Sequence, residues 1–273
     1  MGDRVSVTIN SGVADVRLDR PDKINALDPA MFAAIVATGE SLKDDASVRA
    51  VVLSGEGRGF CAGLDFSSFQ AMASAEDGDD GGTSAIGRTD GRVTHLAQQA
   101  AWVWSELAVP VVAAVHGPCL GGGLQIALGA DLRIVSPDAT LSVLEVRWGL
   151  TPDMTASVTL PRLVGVDVAK ELTWTGRTVT GEEAVRLGLA TRVADDPRGA
   201  ALELAHELAA KSPDAIRAAK GLFDVGSSRT PAEQLAEERR AIGSLIGSRN
   251  QVEAVTAFFE KRPPAFDDVP PPA

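Results

Sequence analysis

Residues 110–123 read PVVAAVHGPCLGGG, an apolar strand that passes through His116-Gly117 into a turn with three consecutive glycines. Residues 48–65 read VRAVVLSGEGRGFCAGLD, which is likewise an apolar strand followed by a turn that contains glycines. Each turn precedes an apolar-periodic segment that predicts a helix, the first starting near Asp65. Helix starts carry unpaired N–H groups, so the two turns can aim two backbone donors at one point. Such a pair forms an oxyanion hole, although close packing of a helix start on a strand would also explain the glycines.

The segments around these turns predict an α/β core. Residues 5–9 and 13–18 alternate around a short turn and predict a β-hairpin. Asp28-Pro29 is typical of a helix start, and that helix extends to about Leu42. Residues 75–91 are acidic and glycine-rich, and they predict either a lid over a pocket or a solvated surface loop. Further strands are predicted at 111–115, 132–135 and 141–143, and further helices at 92–107, in two parts of 153–175, and at 181–187.

Beyond Asp195-Asp196-Pro197 the pattern predicts helices alone. Thr230 and Glu233, with Pro231 between them, form a capping box at one of their starts. We therefore divide the chain into a core at 1–196 and a helical region at 197–273. The apolar faces of these helices need either the core or a neighbouring subunit to pack on. The Pro-rich tail is expected to be a strap or disordered. The helices are predicted at 199–211, 213–224, 231–246 and 250–260.

Composition excludes several classes of protein. The net charge is −11 with no offsetting basic run, which argues against general nucleic-acid binding. No apolar run reaches the roughly 18 residues of a membrane span, and the first residues lack a signal-peptide pattern, so we expect a cytoplasmic protein. The chain has no tyrosine, which excludes the short-chain dehydrogenase type of site. Cys61 and Cys119 are expected to be reduced, buried thiols, and no pattern of metal ligands is present.

Two acids stand among apolar residues in the segment 144–153, LEVRWGLTPD. Glu145 and Asp153 are therefore candidates for proton transfer, since apolar surroundings raise the pKa of a carboxyl. The alternatives are an ion pair of Glu145 with Arg147 or Arg162, and a helix cap at Asp153. Gln125 follows Gly122 by about one helical turn and is expected to project near the same pocket.

Several motifs, taken together, resemble the crotonase superfamily, the enoyl-CoA hydratase/isomerase group. The resemblance extends over nearly the whole chain, in order and at family spacing. The matching residues are RPDKINAL at 20–27, GFCAGLD at 59–65, AVHGPCLGGGLQ at 114–125, Glu145-Val146, LPRLVG at 160–165 and AVRLGLA at 184–190.

This resemblance implies an α/β spiral of β-β-α units, followed by a C-terminal helical oligomerisation region. The assembly it implies is a homotrimer or a dimer of trimers. The substrate implied is an acyl-CoA thioester, so coenzyme A enters with the substrate and no other cofactor or metal is expected. The oxyanion donors implied are the backbone N–H groups of Leu64 and Gly122. Contacts with coenzyme A are implied for Lys23, Ala26, Ala62, Leu64, Asp65 and Phe66, and for Lys261 from a neighbouring subunit.

Position 125 departs from the family pattern. Members that hydrate 2-enoyl-CoA have a glutamate there and a second one at the position of Glu145, whereas Gln125 cannot exchange a proton. The spacing of Glu145 and Asp153 resembles the dienoyl-CoA isomerase branch, which has an aspartate at position 125. We therefore expect double-bond isomerisation with Glu145 as base, Asp153 as partner acid and Gln125 in the site. The alternatives are a weak or specialised hydratase, a thioester hydrolase and a CoA-binding protein without turnover.

Overall fold

The computed structural model describes residues 4–65, 89, 91–226 and 229–270. Within these ranges a six-stranded sheet forms the centre of the fold, with strand order β1-β2-β3-β4-β6-β9. The first pair is antiparallel, as the predicted hairpin requires, and the other neighbours are parallel. The strands are β1 Val5–Asn10, β2 Val13–Leu18, β3 Ala50–Gly55, β4 Val111–Val115, β6 Leu132–Val135 and β9 Arg192–Val193.

A second, three-stranded sheet lies beside the first in the described chain, with order β5-β7-β8. Its strands are β5 Pro118–Leu120, β7 Thr140–Ser142 and β8 Val179–Thr180. Only His116 and Gly117 separate β4 from β5, so the chain passes directly from one sheet into the other. The glycine-rich turn follows immediately, which places it where the two sheets meet.

Helices join and cover the sheets. Asp28 caps α1 by accepting the Met31 N–H at 2.8 Å, as predicted. No helix in the described ranges is both long enough and apolar enough to cross a membrane. The helices are α1 Pro29–Lys43, α2 Leu96–Trp102, α3 Gly122–Leu128, α4 Ala156–Val164, α5 Val166–Thr175, α6 Gly181–Leu187, α7 Pro197–Ala209, α8 Pro213–Gly226, α9 Pro231–Leu245 and α10 Arg249–Glu260.

Some predicted elements differ from the structure. The helix predicted at 92–107 is shorter, because His95 caps it in a capping box with Gln98 and it ends at Trp102. Strand β5 falls within the stretch interpreted as a turn, and its three residues are too few to show a period. The predicted helix after Asp65, the 75–91 loop except for residues 89 and 91, and the proposed contact at Phe66 lie outside the described residues.

The central strands β3 and β4 are buried on both faces of the main sheet, as expected for parallel strands, whereas β1 and β9 at its edges are largely exposed. One face packs on the principal core, and the other is covered by α7 through Ala201, Ala205 and Ala209. These alanines recur every four residues and form one stripe, which packs with Val52 and Val112 of the sheet in a single apolar cluster. The first helix of the predicted C-terminal region thus packs on the core. The boundary after Asp196 stays a prediction.

The chain after Pro263 is a strap in the described range. Arg49 donates to the Phe266 carbonyl and the Asp268 carboxylate, both at 2.8 Å. Arg217 donates to the Val269 carbonyl at 2.6 Å, and Asn250 accepts the Asp267 N–H at 2.8 Å. The tail therefore contacts α8, α10 and Arg49, the residue directly before β3.

Candidate active site

The two turns predicted from the sequence lie side by side. Cys61 N–H donates to the Pro118 carbonyl and Leu120 N–H donates to the Cys61 carbonyl, both at 3.0 Å. A Cβ on Gly63 would stand 2.8 Å from the Leu120 carbonyl oxygen, and one on Gly123 would stand 2.6 Å from the Cys61 Cβ. Glycine at these positions therefore allows the two turns to touch. The close-packing interpretation is correct, and that packing also sets the separation of Leu64 and Gly122.

Within the described ranges, the backbone N–H groups of Leu64 and Gly122 have no hydrogen-bond acceptor. Leu27 donates to the Gly63 carbonyl at 2.8 Å and accepts from Asp65 at 3.0 Å. Because neighbouring peptide groups alternate in direction, the Leu64 N–H points away from Leu27. Gly122 is the first residue of α3, so its N–H has no carbonyl one turn earlier. Neither group donates to a backbone carbonyl within the described ranges.

Asn25 holds the first turn in place, a role that sequence reasoning missed. Its side chain is fully buried, and its backbone is left-handed with φ of 55°. Nδ2 lies 2.9 Å from the Glu56 carbonyl, 3.0 Å from that of Gly59 and 3.1 Å from that of Phe60. One amide thus ties the loop before Cys61 to the segment that carries Leu27. The signal was present in RPDKINAL, where asparagine suits a left-handed position.

Glu145 lies at the start of a short 3₁₀ helix, Glu145–Trp148, with its carboxyl group turned towards the glycine turn. A Cβ on Gly121 would stand 3.4 Å from Glu145 Oε1. Gln125 Nε2 donates to the same oxygen at 2.6 Å. The other oxygen, Oε2, is buried and has no hydrogen-bond partner in the described chain. The alternative ion pair with Arg147 or Arg162 is absent from the described residues.

The pKa of Glu145 is raised above 4.5, first by burial and further by the charge of Asp153. Hydrogen bonds from the Gln125 side chain and from the backbone N–H groups of Glu145 and Leu144 oppose that rise. The result is a half-buried residue whose Oε1 accepts from Gln125 and whose Oε2 is buried without a partner in the described chain. Such a group is suited to accept and return a proton.

The Gln125 side chain is buried at 1% exposure, and both the nitrogen and the oxygen of its amide form hydrogen bonds. Its oxygen accepts the Met154 N–H at 2.9 Å and the Ala156 N–H at 3.2 Å. Those two donors flank Thr155, whose φ is 80°. Gln125 therefore lies between Glu145 and the turn at 154–156, a contact that was not visible in the sequence. Its place beside the Gly122 N–H stays a prediction.

Asp153 is exposed on the turn before α4. It does not cap that helix, because Thr155 is the N-cap residue and no side chain bonds the helix start. The charge of Asp153 nevertheless reaches Glu145 and raises its pKa. The two predicted acids therefore interact electrostatically.

Most of the residues proposed to contact coenzyme A lie on two adjacent segments. Ala62 N–H donates to the Ile24 carbonyl at 2.9 Å, which joins the segment containing Lys23 and Ala26 to the first turn. Asp65 is an ion-pair partner of Arg20 at 2.6 Å, so its carboxylate is already engaged. Lys23 is exposed. Lys261 is exposed at the end of α10, and no hydrogen bond or ion pair in the described chain joins it to these segments.

The two cysteines are free and buried. The Cys61 thiol donates to the Asn25 carbonyl at 3.1 Å, and burial raises the pKa of Cys61 to about 12. Burial also raises the pKa of Cys119. Thiols with raised pKa values are poor nucleophiles at neutral pH, which fits their structural role. Within the described ranges, no group of three or more His, Cys, Asp or Glu residues could hold a metal ion.

Comparison with known proteins identifies the family. Residues 8–269 match the family model described as enoyl-CoA hydratase/isomerase. The chain belongs to this family. It is 33% identical to the short-chain-enoyl-CoA hydratase of Clostridium acetobutylicum, covering 92% of each chain. It is 30% identical to the mitochondrial methylglutaconyl-CoA hydratase of Mus musculus, covering 94% of this chain and 80% of the relative.

Solved structures of the family share the fold. The enoyl-CoA hydratase structure from Bacillus anthracis superposes with a TM-score of 0.86 at 29% identity, covering 96% of this chain and 98% of that one. The crotonase-type α/β fold expected from the resemblance is therefore confirmed. These relatives are named hydratases, so the family assignment leaves the reaction of this member to be argued from its own residues.

Proposed function

We propose that this member of the enoyl-CoA hydratase/isomerase family moves a proton along the acyl chain of a CoA thioester, and so isomerises an enoyl- or dienoyl-CoA. The observation that carries the proposal is the Glu145 carboxyl. Glu145 is half-buried, its Oε2 is buried without a partner in the described chain, and its Oε1 lies beside the glycine turn. The paired N–H groups of Leu64 and Gly122 supply the complementary oxyanion hole.

The proposed reaction begins with the thioester oxygen bound by the Leu64 and Gly122 N–H groups. Glu145 Oε2 takes a proton from C2 of a 3-enoyl-CoA, and the electron pair moves onto the thioester oxygen as a dienolate. Fixed donors stabilise that charge by several kcal/mol each. Return of the proton to C4 gives the 2-enoyl-CoA. Coenzyme A enters with the substrate, and no step needs another cofactor.

Asp153 extends this reaction to conjugated substrates. In a 3,5-dienoyl-CoA the proton leaves C2 and must be replaced at C6, beyond the reach of one carboxyl at C2. A second acid along the chain suits that transfer, and Asp153 lies close enough to Glu145 to act on its pKa. The proposed roles are therefore Glu145 as the base and Asp153 as the remote acid.

Hydration of a 2-enoyl-CoA is the second candidate. The names of the relatives favour it, among them the short-chain-enoyl-CoA hydratase and the methylglutaconyl-CoA hydratase. Water addition transfers a hydroxyl to C3 and a proton to C2, and Glu145 alone would have to serve both steps. Gln125 can orient a water molecule but cannot exchange a proton, which is why we place isomerisation first.

Heavy water distinguishes the two reactions. The protein is incubated with 3-enoyl-, 3,5-dienoyl- and 2-enoyl-CoA in D₂O, and the products are followed by mass spectrometry and near-ultraviolet absorbance. Deuterium uptake with a shifted double bond and no added water is the expected result. A mass gain of one water on the 2-enoyl-CoA, without isomerisation of the other two, would contradict the proposal and establish the hydratase.

Asp153→Asn separates the two proposed acids. We expect the variant to keep isomerisation of 3-enoyl-CoA within about threefold, and to lose about 10²-fold in conversion of 3,5-dienoyl-CoA. The acid limb of its remaining activity should move to lower pH, because the Asp153 charge raises the pKa of Glu145. Asp167→Asn, on the first turn of α5, is the control. Equal losses on both substrates would contradict the division of roles.

We also propose that the chain assembles as a homotrimer or a dimer of trimers. Phe223 is exposed on α8, and Phe258 and Phe259 are exposed side by side on α10. Exposed large apolar side chains favour a subunit contact. Sedimentation velocity tests this, since a stable monomer at micromolar concentration would contradict it.

A further inference from the structure

One chain of hydrogen bonds runs from the start of α4 to the proposed base. The Met154 and Ala156 N–H groups can only donate, so the Gln125 atom they share, at 2.9 and 3.2 Å, must be its oxygen. The NH₂ group of the amide must therefore face Glu145, whose Oε1 it binds at 2.6 Å. Both ends of Gln125 are thus assigned by their partners.

The turn at 154–156 is shaped around that oxygen. Thr155 has φ of 80°, a backbone conformation that β-branched residues rarely adopt. This conformation brings the N–H groups on either side of Thr155 to the same acceptor. Unfavourable backbone conformations concentrate where function requires them, because the surrounding structure must maintain them.

We infer that Gln125 is a positioning residue, which fixes the Glu145 carboxyl through Oε1 and leaves Oε2 as the atom that exchanges protons with substrate. The inference rests on the proposed role of Glu145 as base. It deepens that role by naming what selects the reacting oxygen. At 2.6 Å the Gln125–Glu145 contact leaves no space for a water molecule between the two side chains. Position 125 thereby favours proton transfer over water addition.

The charge state of Glu145 reports on this contact. Gln125 opposes the rise in the Glu145 pKa, as do the backbone N–H groups of Glu145 and Leu144. Among the described side chains, Asp153 is the charged group that acts on it most strongly. The Gln125 amide is thus the one side chain among these groups that holds the base ionised, so its loss should move the acid limb of the rate upward in pH.

Gln125→Met and Gln125→Glu test the inference. Methionine has similar length and removes the donor, so the acid limb of kcat/KM for deuterium exchange should rise by about one pH unit. Glutamate keeps an acceptor for Met154 and Ala156, which preserves the fold, and it places a second carboxyl against Glu145. The limb should then rise further, because two carboxyls in contact share a proton.

Gln99→Met is the matched control. Gln99 is equally buried, at 2% exposure, and its Nε2 also donates to carboxylates, those of Glu40 and Glu106. It should lose stability without moving the pH profile. A profile unchanged from wild type in both Gln125 variants, or equally moved in Gln99→Met, would overturn the inference.

An infrared titration keeps this result separate from the proposed function. The Glu145 carboxyl band is isolated by subtracting the spectrum of Glu145→Gln, and its pKa is followed in unliganded protein. A higher Glu145 pKa in Gln125→Met supports the positioning role of Gln125. If wild type nevertheless exchanges no deuterium, only the proposed function is rejected. Normal exchange in wild type with no pKa change in either variant would reject the positioning role alone.

Discussion

Glu145→Gln is expected to lower deuterium exchange on an acyl-CoA substrate by about 10²- to 10⁴-fold, the usual contribution of a general base. The substitution removes the proton acceptor and little else. An amide oxygen at the position of Oε1 can still accept from Gln125 Nε2, so the contact at 2.6 Å is retained. Substrate binding should stay within about threefold, because the Leu64 and Gly122 donors are untouched. The loss of rate and any loss of substrate binding are measured separately, as kcat and KM with the substrate that wild type isomerises.

The same variant should be at least as stable as wild type at neutral pH. The native carboxyl, with its raised pKa, holds its proton more tightly than the unfolded chain does. Its contribution to stability is therefore present below about pH 4.5 and is lost as pH rises through the raised pKa. The amide of the variant does not titrate and has no such dependence, so the stability of wild type relative to the variant should fall in urea unfolding as pH rises above about 4.5.

Glu207→Gln is the control for both measurements, since Glu207 is exposed on α7 and paired only loosely with Lys211 at 3.6 Å. It should change neither the exchange rate nor the pH dependence of unfolding. Glu145→Gln with more than a tenth of the wild-type exchange rate would remove Glu145 as the base. Exchange lost together with CoA-thioester binding would instead indicate collapse of the pocket.

What could be predicted from the sequence depends on how local the determining contacts are. The Asp28 cap and the Thr230–Glu233 capping box join residues three positions apart, and the hairpin of β1 and β2 pairs residues no more than 13 positions apart. All three are confirmed. The early end of α2 and the three residues of β5 were missed, because surrounding structure rather than periodicity sets them.

The site divides in the same way. The approach of the two turns was predictable because each lies between an apolar strand and a predicted helix. The position of Gln125 was predictable because it follows Gly122 by about one helical turn. Its contact with Glu145 spans 20 positions and its contacts with residues 154 and 156 span 29 and 31. No local pattern encodes such distances. The engagement of Asp65 by Arg20 is likewise a tertiary contact, and it changes the expectation that Asp65 is available to coenzyme A.

Gly63→Ala is expected to reduce the exchange rate by about 10²- to 10³-fold, the usual loss of one oxyanion donor. Gly63 has φ of 86°, and a Cβ there would stand 2.8 Å from the Leu120 carbonyl oxygen. The added methyl group must push the first turn away from the second, and it must also strain the backbone directly before Leu64. The donor at Leu64 therefore moves relative to the one at Gly122.

Gly188→Ala separates this effect from lost stability. Gly188, at the end of α6, has φ of 83°, and its Cβ would stand 2.8 Å from the Leu163 carbonyl oxygen. Strain and overlap are thus matched, and both variants should lose about 2 kcal/mol of unfolding free energy. Only Gly63→Ala should lose rate, with a smaller ultraviolet red shift of a bound enoyl thioester, since that shift reports polarisation of the carbonyl. Equal rates in the two variants would show that the Leu64 N–H does not hold the thioester oxygen, and the proposed reaction would then lack half of its charge stabilisation.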